Sequence, residues 1–153
     1  MTVHTILLSD FTDLRFRRAF QRYFTELDIS VRDWDGLFRE MNAEGNNFAY
    51  LFLDGSNETL GFIQFQVTGF SNWFFEEPFG FIREFWVAPA HRRQGYGKTL
   101  LRLAEAYFAE HGMYRALLTP DDNAVSFYLA NGYEKAPGIR AKNKMEVFVK
   151  TLT

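Results

Sequence analysis

Apolar positions change period along the chain. Phe16, Ala19, Phe20, Tyr23, Phe24 and Leu27 recur at three- and four-residue steps, which predicts a helix over residues 13–27. Asp10 and Thr12 offer caps before it. Trp34, Leu37, Phe38 and Met41 repeat the spacing and predict a second helix over residues 33–42. Residues 48–53 and 59–68 then read as strands around Asp54-Gly55-Ser56-Asn57, a hairpin signal, after a first strand at residues 3–8. Residues 69–80 read as a loop carrying Trp73, Phe74, Phe75, Glu76 and Glu77, and residues 81–87 as a strand stopped by Ala88-Pro89.

The helical period returns over residues 97–111. Leu100, Leu101, Ala104, Tyr107 and Phe108 form its apolar stripe and Gly112 its stop. A short buried strand is expected at 115–118, a helix at 122–130 closed by Asn131-Gly132, and a last strand at 145–152. An additional strand falls at 133–136. The order β-α-α-β-β-β-α-β-α-β, hairpins first and βαβ units after, predicts an α/β fold with a mixed sheet flanked by helices. No linker divides the 153 residues, so 1–153 reads as one domain.

Composition adds three constraints. The chain has no Cys, so neither a disulfide nor a thiolate nucleophile or zinc ligand is available, and no His spacing suggests a metal site. The N-terminus lacks a signal-peptide pattern, and no apolar run approaches the ~20 residues of a membrane span. A cytoplasmic protein without membrane contact is expected. Net charge is −2, which gives nucleic-acid binding no support, but its distribution is uneven. Residues 1–90 carry 7 Arg, no Lys and 13 acids, whereas residues 91–153 carry 10 Lys and Arg against 6 acids. Chance asymmetry is the plainer reading; an anion-binding second half beside a cation-tolerant first half is the sharper one.

The strongest local feature is VAPAHRRQGYGKTLL, from Val87 to Leu101. A strand ends, a glycine turn follows, and an amphipathic helix begins. Gly95 and Gly97 let backbone amides approach an anion, the helix start adds free donors, and Arg92, Arg93 and Lys98 add positive charge. A diphosphate suits such a cup. On glycine spacing alone, an ordinary turn with solvated basic residues is an equal reading. A P-loop would need glycine where Arg92 stands, and a dinucleotide fingerprint would need it where Leu100 stands.

Arg92-x-x-Gly95-x-Gly97 resembles the coenzyme A motif of the GNAT superfamily of N-acyltransferases. A second segment, Ala124-Val125-Ser126-Phe127-Tyr128 closed by Gly132-Tyr133, resembles the family's small–aliphatic–aromatic–Tyr pattern. The similarity runs from about Phe81 to Tyr133, and the element order agrees with the GNAT fold. The resemblance implies that Arg92, Arg93, Gln94, Gly95, Tyr96, Gly97 and Lys98 bind the coenzyme pyrophosphate, chiefly through turn amides. It also implies that Phe85, Trp86 and Val87 bind the pantetheine arm. Many members place Asn where this chain has Asp121; Asn123 is the candidate substitute.

The implied activity is N-acetyl transfer from acetyl-CoA, as cosubstrate and without metal, to a primary amine of a small molecule or peptide by direct attack. The alternative is a non-catalytic coenzyme A-binding sensor or assembly domain. Such transfer needs an acid for the departing thiolate and a base for the amine. The family position makes Tyr128 the candidate acid. Glu84, three residues before Val87 and alternating with Phe85, is the candidate base, directly or through water. Read alone, Glu84 is first a paired sheet carboxylate. The acidic first half favours a cationic acceptor, and Tyr23, Glu26, Asp28, Trp34, Trp73, Glu76 and Glu77 are candidate walls for it. Dimers are frequent among relatives, so a homodimer is an implied assembly that no residue here marks.

Overall fold

The computed structural model describes residues 2–152. Strand β1 (His4–Leu8) leads into helices α1 (Leu14–Glu26) and α2 (Trp34–Glu44). Three long strands follow: β2 (Asn47–Leu53), β3 (Thr59–Ser71) and β4 (Glu76–Val87). Helix α3 (Tyr96–Glu110), strand β5 (Arg115–Leu118), helix α4 (Val125–Ala130) and strands β6 (Glu134–Lys135) and β7 (Phe148–Thr151) complete the described chain. The element order is the one the sequence predicts. The strands form one mixed sheet in the order β1-β2-β3-β4-β5-β7-β6, with β4 and β5 as its parallel pair.

Each face of the sheet has its own core. Phe62 and Trp86 point to the α1 and α2 side and meet Phe16, Phe20 and Phe38, with ring centroids of Phe16 and Phe62 5.3 Å apart. Ile63, Phe65 and Ile82 point to the other side and meet Leu100, Leu101 and Phe108 of α3. The alternation along β3 is thus the period of two that a doubly covered strand requires. Gly80 makes room for α3, because a Cβ there would collide with the Phe108 ring.

Several boundaries differ from expectation. Residues 69–80 are not a loop: β3 and β4 pair as far as Ser71↔Glu76, around a turn in which Asn72 Oδ1 accepts from the amides of Phe74 and Phe75. These outer arms extend past β2, whose pairing starts at Asn47↔Gln66, and Trp73 at their tip is 97% exposed. Helix α1 is capped by Asp13, whose side chain accepts from the Arg15 amide; Asp10 instead holds Thr12 and Asn42. The helix expected at 122–130 begins as a 3-10 turn over Asp122–Ala124, and the last strand begins at Phe148, leaving Met145 and Val147 outside it.

Candidate active site

Two adjacent strands part at the site. β4 and β5 pair only at Gly80↔Ala116 and Phe81↔Leu117, and beyond these β4 runs on to Val87 with no strand partner on that edge among the described residues. Ala88 N–H bonds to Leu60 C=O on the β3 side. By alternation, the main-chain groups of Phe85 and Val87 point to the open edge. A buried strand edge needs hydrogen-bond partners from elsewhere. Its bend begins at a bulge: Gln64 pairs with Glu84 but Phe65 with Ile82, so Arg83 is the extra residue.

The turn after β4 folds as an anion cradle. A 3-10 turn at Pro89–His91 leads to Arg93, at φ 63°, and Gly95, at φ 85°, both left-handed. Such reversals aim successive N–H groups into one concavity. Gly95 is the N-cap of α3 and supplies no side-chain cap, so the first amides of this 15-residue helix keep free donors. A Cβ on Gly97 would meet the Phe127 and Phe85 rings at 3.8 Å, an ordinary contact without collision, whereas a Cβ on Gly95 would meet nothing within 4 Å.

Edge and turn enclose a cavity of about 590 Å³. Most sequence-selected residues line it: Phe85, Trp86, Val87, Arg92, Arg93 and Gly95 on one side. Gly97, Lys98, Asn123 and Tyr128 line the rest, and Asp121 is there as well. Gln94 is exposed beside it, and Tyr96 turns its ring inward against Phe52 at 5.5 Å, leaving only its amide toward the turn. The Trp86 side chain faces the α1 core and donates from Nε1 to Glu26 at 2.8 Å. Arg92 is not free: its guanidinium holds both Glu26 oxygens at 2.7 and 2.6 Å, and its Nε donates to Val87 C=O at 2.8 Å. It ties the turn to the end of α1.

The two candidate catalytic groups differ in environment. Glu84 faces α1, on the opposite side from Phe85. Burial pushes its carboxyl above the ordinary range, against the lowering pull of the hydrogen bond donated by Tyr23. Across β3, the buried Gln64 has neither side-chain polar atom hydrogen-bonded among the described residues. Tyr128 lies on α4 with its ring 6.5 Å from that of Phe85. Burial first, then the charges of Asp121 and Glu84, push its hydroxyl well up, so it stays protonated. The sequence marks Tyr23 as part of an apolar stripe and as a candidate acceptor wall, but not as a partner of Glu84, which lies 61 residues away. His91 also reaches the cavity wall, unmarked by any pattern. Among the described residues no three His, Asp or Glu side chains gather as a metal site, and no helix is long and apolar enough to cross a membrane.

A mixed sheet opened at its parallel pair, with a donor-rich helix start at the opening, defines the acyl-CoA N-acyltransferase fold. The profile of the Acetyltransferase (GNAT) family matches residues 8–133, and the chain belongs to that family; it is an acyltransferase. No curated protein sequence matches it. Solved structures match along nearly the whole chain. A GNAT-family acetyltransferase of Staphylococcus aureus Mu50 is 17% identical, with TM-score 0.73, covering 99% of this chain and 100% of its own. A predicted acetyltransferase of Clostridium acetobutylicum with acetyl-CoA is 13% identical, with TM-score 0.75 and coverages of 92% and 95%. An aminoglycoside acetyltransferase from an uncultured soil metagenomic sample, in complex with sisomicin, is 22% identical, with TM-score 0.65 and coverages of 84% and 86%.

Proposed function

We propose that this acyltransferase moves an acetyl group from acetyl-CoA to a primary amine of a small molecule or peptide, by direct attack and within one domain. The observation that carries this is the convergence of the α3 amides, the open Phe85–Val87 edge and the Tyr128 hydroxyl on one cavity. The α3 start and the Arg93–Gly95 turn bind the pyrophosphate, with Lys98 and Arg93 adding charge. The Phe85 and Val87 main chain binds the pantetheine amides, and Asn123 stands beside it.

Glu84 takes the proton the amine sheds as its nitrogen bonds to the thioester carbon. As the carbon–sulfur bond breaks, the electron pair stays on sulfur and Tyr128 supplies its proton. Raised pKa values suit both tasks: Glu84 is a stronger base than a solvated carboxylate, and Tyr128 remains a donor throughout the working range.

Incubation with acetyl-CoA and a panel of amines, read by thiol release, is the test. Amine-dependent thiol release with acetylated product is the expected result. Tight coenzyme A binding in calorimetry without transfer to any amine would favour a sensor or assembly role.

A further inference from the structure

A second cavity, of about 430 Å³, opens on the other side of the point where β4 and β5 separate. Its walls are Phe79, Phe81, Leu117, Leu118, Ile139 and Val147, with polar atoms from Thr119, Lys142 and Asn143. Phe81 pairs with Gln66 and Glu84 with Gln64, so Phe81 and Glu84 share the face of β4 turned toward α1. The cavity therefore lies on the strand face that carries the candidate base; Glu84 itself does not line it but stands three residues further along β4 than Phe81. Thr119 of its wall and Asp121 of the coenzyme-side cavity are two residues apart on the segment leaving β5.

The chemistry of these walls selects an occupant. Phe79 and Phe81 are both only half-buried, an unusual state for two neighbouring rings on a central strand, and both present carbon to the cavity. No Asp or Glu lines it. The covering segment between β6 and β7 is basic, and the described ion pairs engage none of Arg140, Lys142 or Lys144. Two acids of the first half are engaged or distant: Glu77 is paired with Arg115, and Glu76 sits out on the hairpin arm. A polycation here would lose hydration against carbon and face Lys142; an apolar group would gain by burial.

We infer that the acceptor is a primary amine carrying a compact apolar body, aryl or branched alkyl, which seats against Phe79, Phe81 and Ile139 while its nitrogen reaches toward Glu84. This rests on the acetyltransferase reading. The apolar contact fixes which amine reacts, and of the acids in residues 1–90 only Glu84, as base, takes part.

The intact protein at saturating acetyl-CoA is assayed with phenethylamine, 3-methylbutylamine and spermidine. The apolar amines should exceed spermidine in kcat/KM by about tenfold or more, the scale on which an apolar pocket discriminates. Ile139→Asp should lower kcat/KM for phenethylamine by about tenfold and narrow or reverse the preference, with KM for acetyl-CoA unchanged. Phe79→Gln repeats the test on a strand position, and circular dichroism checks both folds. A wild-type preference for spermidine, or phenethylamine kinetics untouched by both substitutions, would overturn the inference while leaving the acetyltransferase reading standing. Absence of coenzyme A binding in calorimetry, with no thiol release from any amine, would overturn both.

Discussion

The Tyr23 hydroxyl donates to Oε2 of Glu84 at 2.5 Å, joining helix α1 to the face of β4 turned toward it. Burial raises the Glu84 pKa, and this bond, which favours the carboxylate, partly lowers it again. A base acts when ionised, so kcat/KM should rise with pH along a limb set by Glu84 in the free enzyme, above the ordinary carboxylate range. Tyr23→Phe deletes the lowering contribution, and the limb should move to higher pH. Glu84→Gln should remove the limb and cut kcat by roughly a hundredfold or more. A limb that stays in place in Tyr23→Phe would assign the titration to another group.

The same raised pKa has a thermodynamic side. The folded protein binds the Glu84 proton more tightly than the unfolded chain, so stability is lost as pH rises from the unfolded pKa through the folded one. Glu84→Gln should therefore raise Tm relative to the parent at neutral pH and lose that advantage at pH below the ordinary carboxylate range.

Gly97→Asp tests the anion cradle. The nearest atoms to its new Cβ are ring carbons at 3.8 Å and the φ of Gly97 is not left-handed, so the fold should survive. The carboxylate would stand in the pyrophosphate space with its charge opposed. Coenzyme A binding in calorimetry should vanish while circular dichroism is unchanged.

Tyr128→Phe keeps the ring that packs near Phe85 and Tyr133 and deletes only the hydroxyl. That hydroxyl makes no hydrogen bond with the described residues, so stability and coenzyme affinity should change little. The turnover number should fall about a hundredfold if protonation of the thiolate limits the rate. A smaller fall is expected where water substitutes, since free thiols have pKa values of about 8.5. Rapid-quench measurement of the chemical step distinguishes a lost acid from an idle one.

Glu105 anchors the far side of α3. Its carboxylate is only 7% exposed and binds Lys150 at 3.0 Å, Arg102 at 2.7 Å and the Tyr133 hydroxyl at 2.8 Å. Glu105→Gln leaves Lys150 without its counter-charge. Breaking a buried pair costs about 3–5 kcal/mol, and solvent at Arg102 reduces this to roughly 2–3 kcal/mol in urea denaturation. Coenzyme A affinity should be unaffected.

What the sequence determined is local. The element order follows from hydrophobic period, since a helix face and a strand face are set by residues within a few positions of each other. The cradle follows from Gly95, Gly97 and the amphipathic helix after them, because turn geometry and free helix amides need no distant partner. Period failed at residues 69–77, where the hairpin arms leave the body of the sheet: with both faces exposed, no alternation is selected, and backbone pairing alone makes the strands. Side chains whose roles depend on remote partners were equally hidden. Tyr23 and Glu105 sit on their helices like any apolar-stripe or surface residue, and Arg92 reads as a free phosphate ligand until Glu26, 66 residues earlier, closes on it. The parting of β4 from β5 and the carbon-lined cavity beside it were likewise decided by tertiary structure, because strand separation depends on which edges find partners, and pairing between distant segments leaves no period in either one.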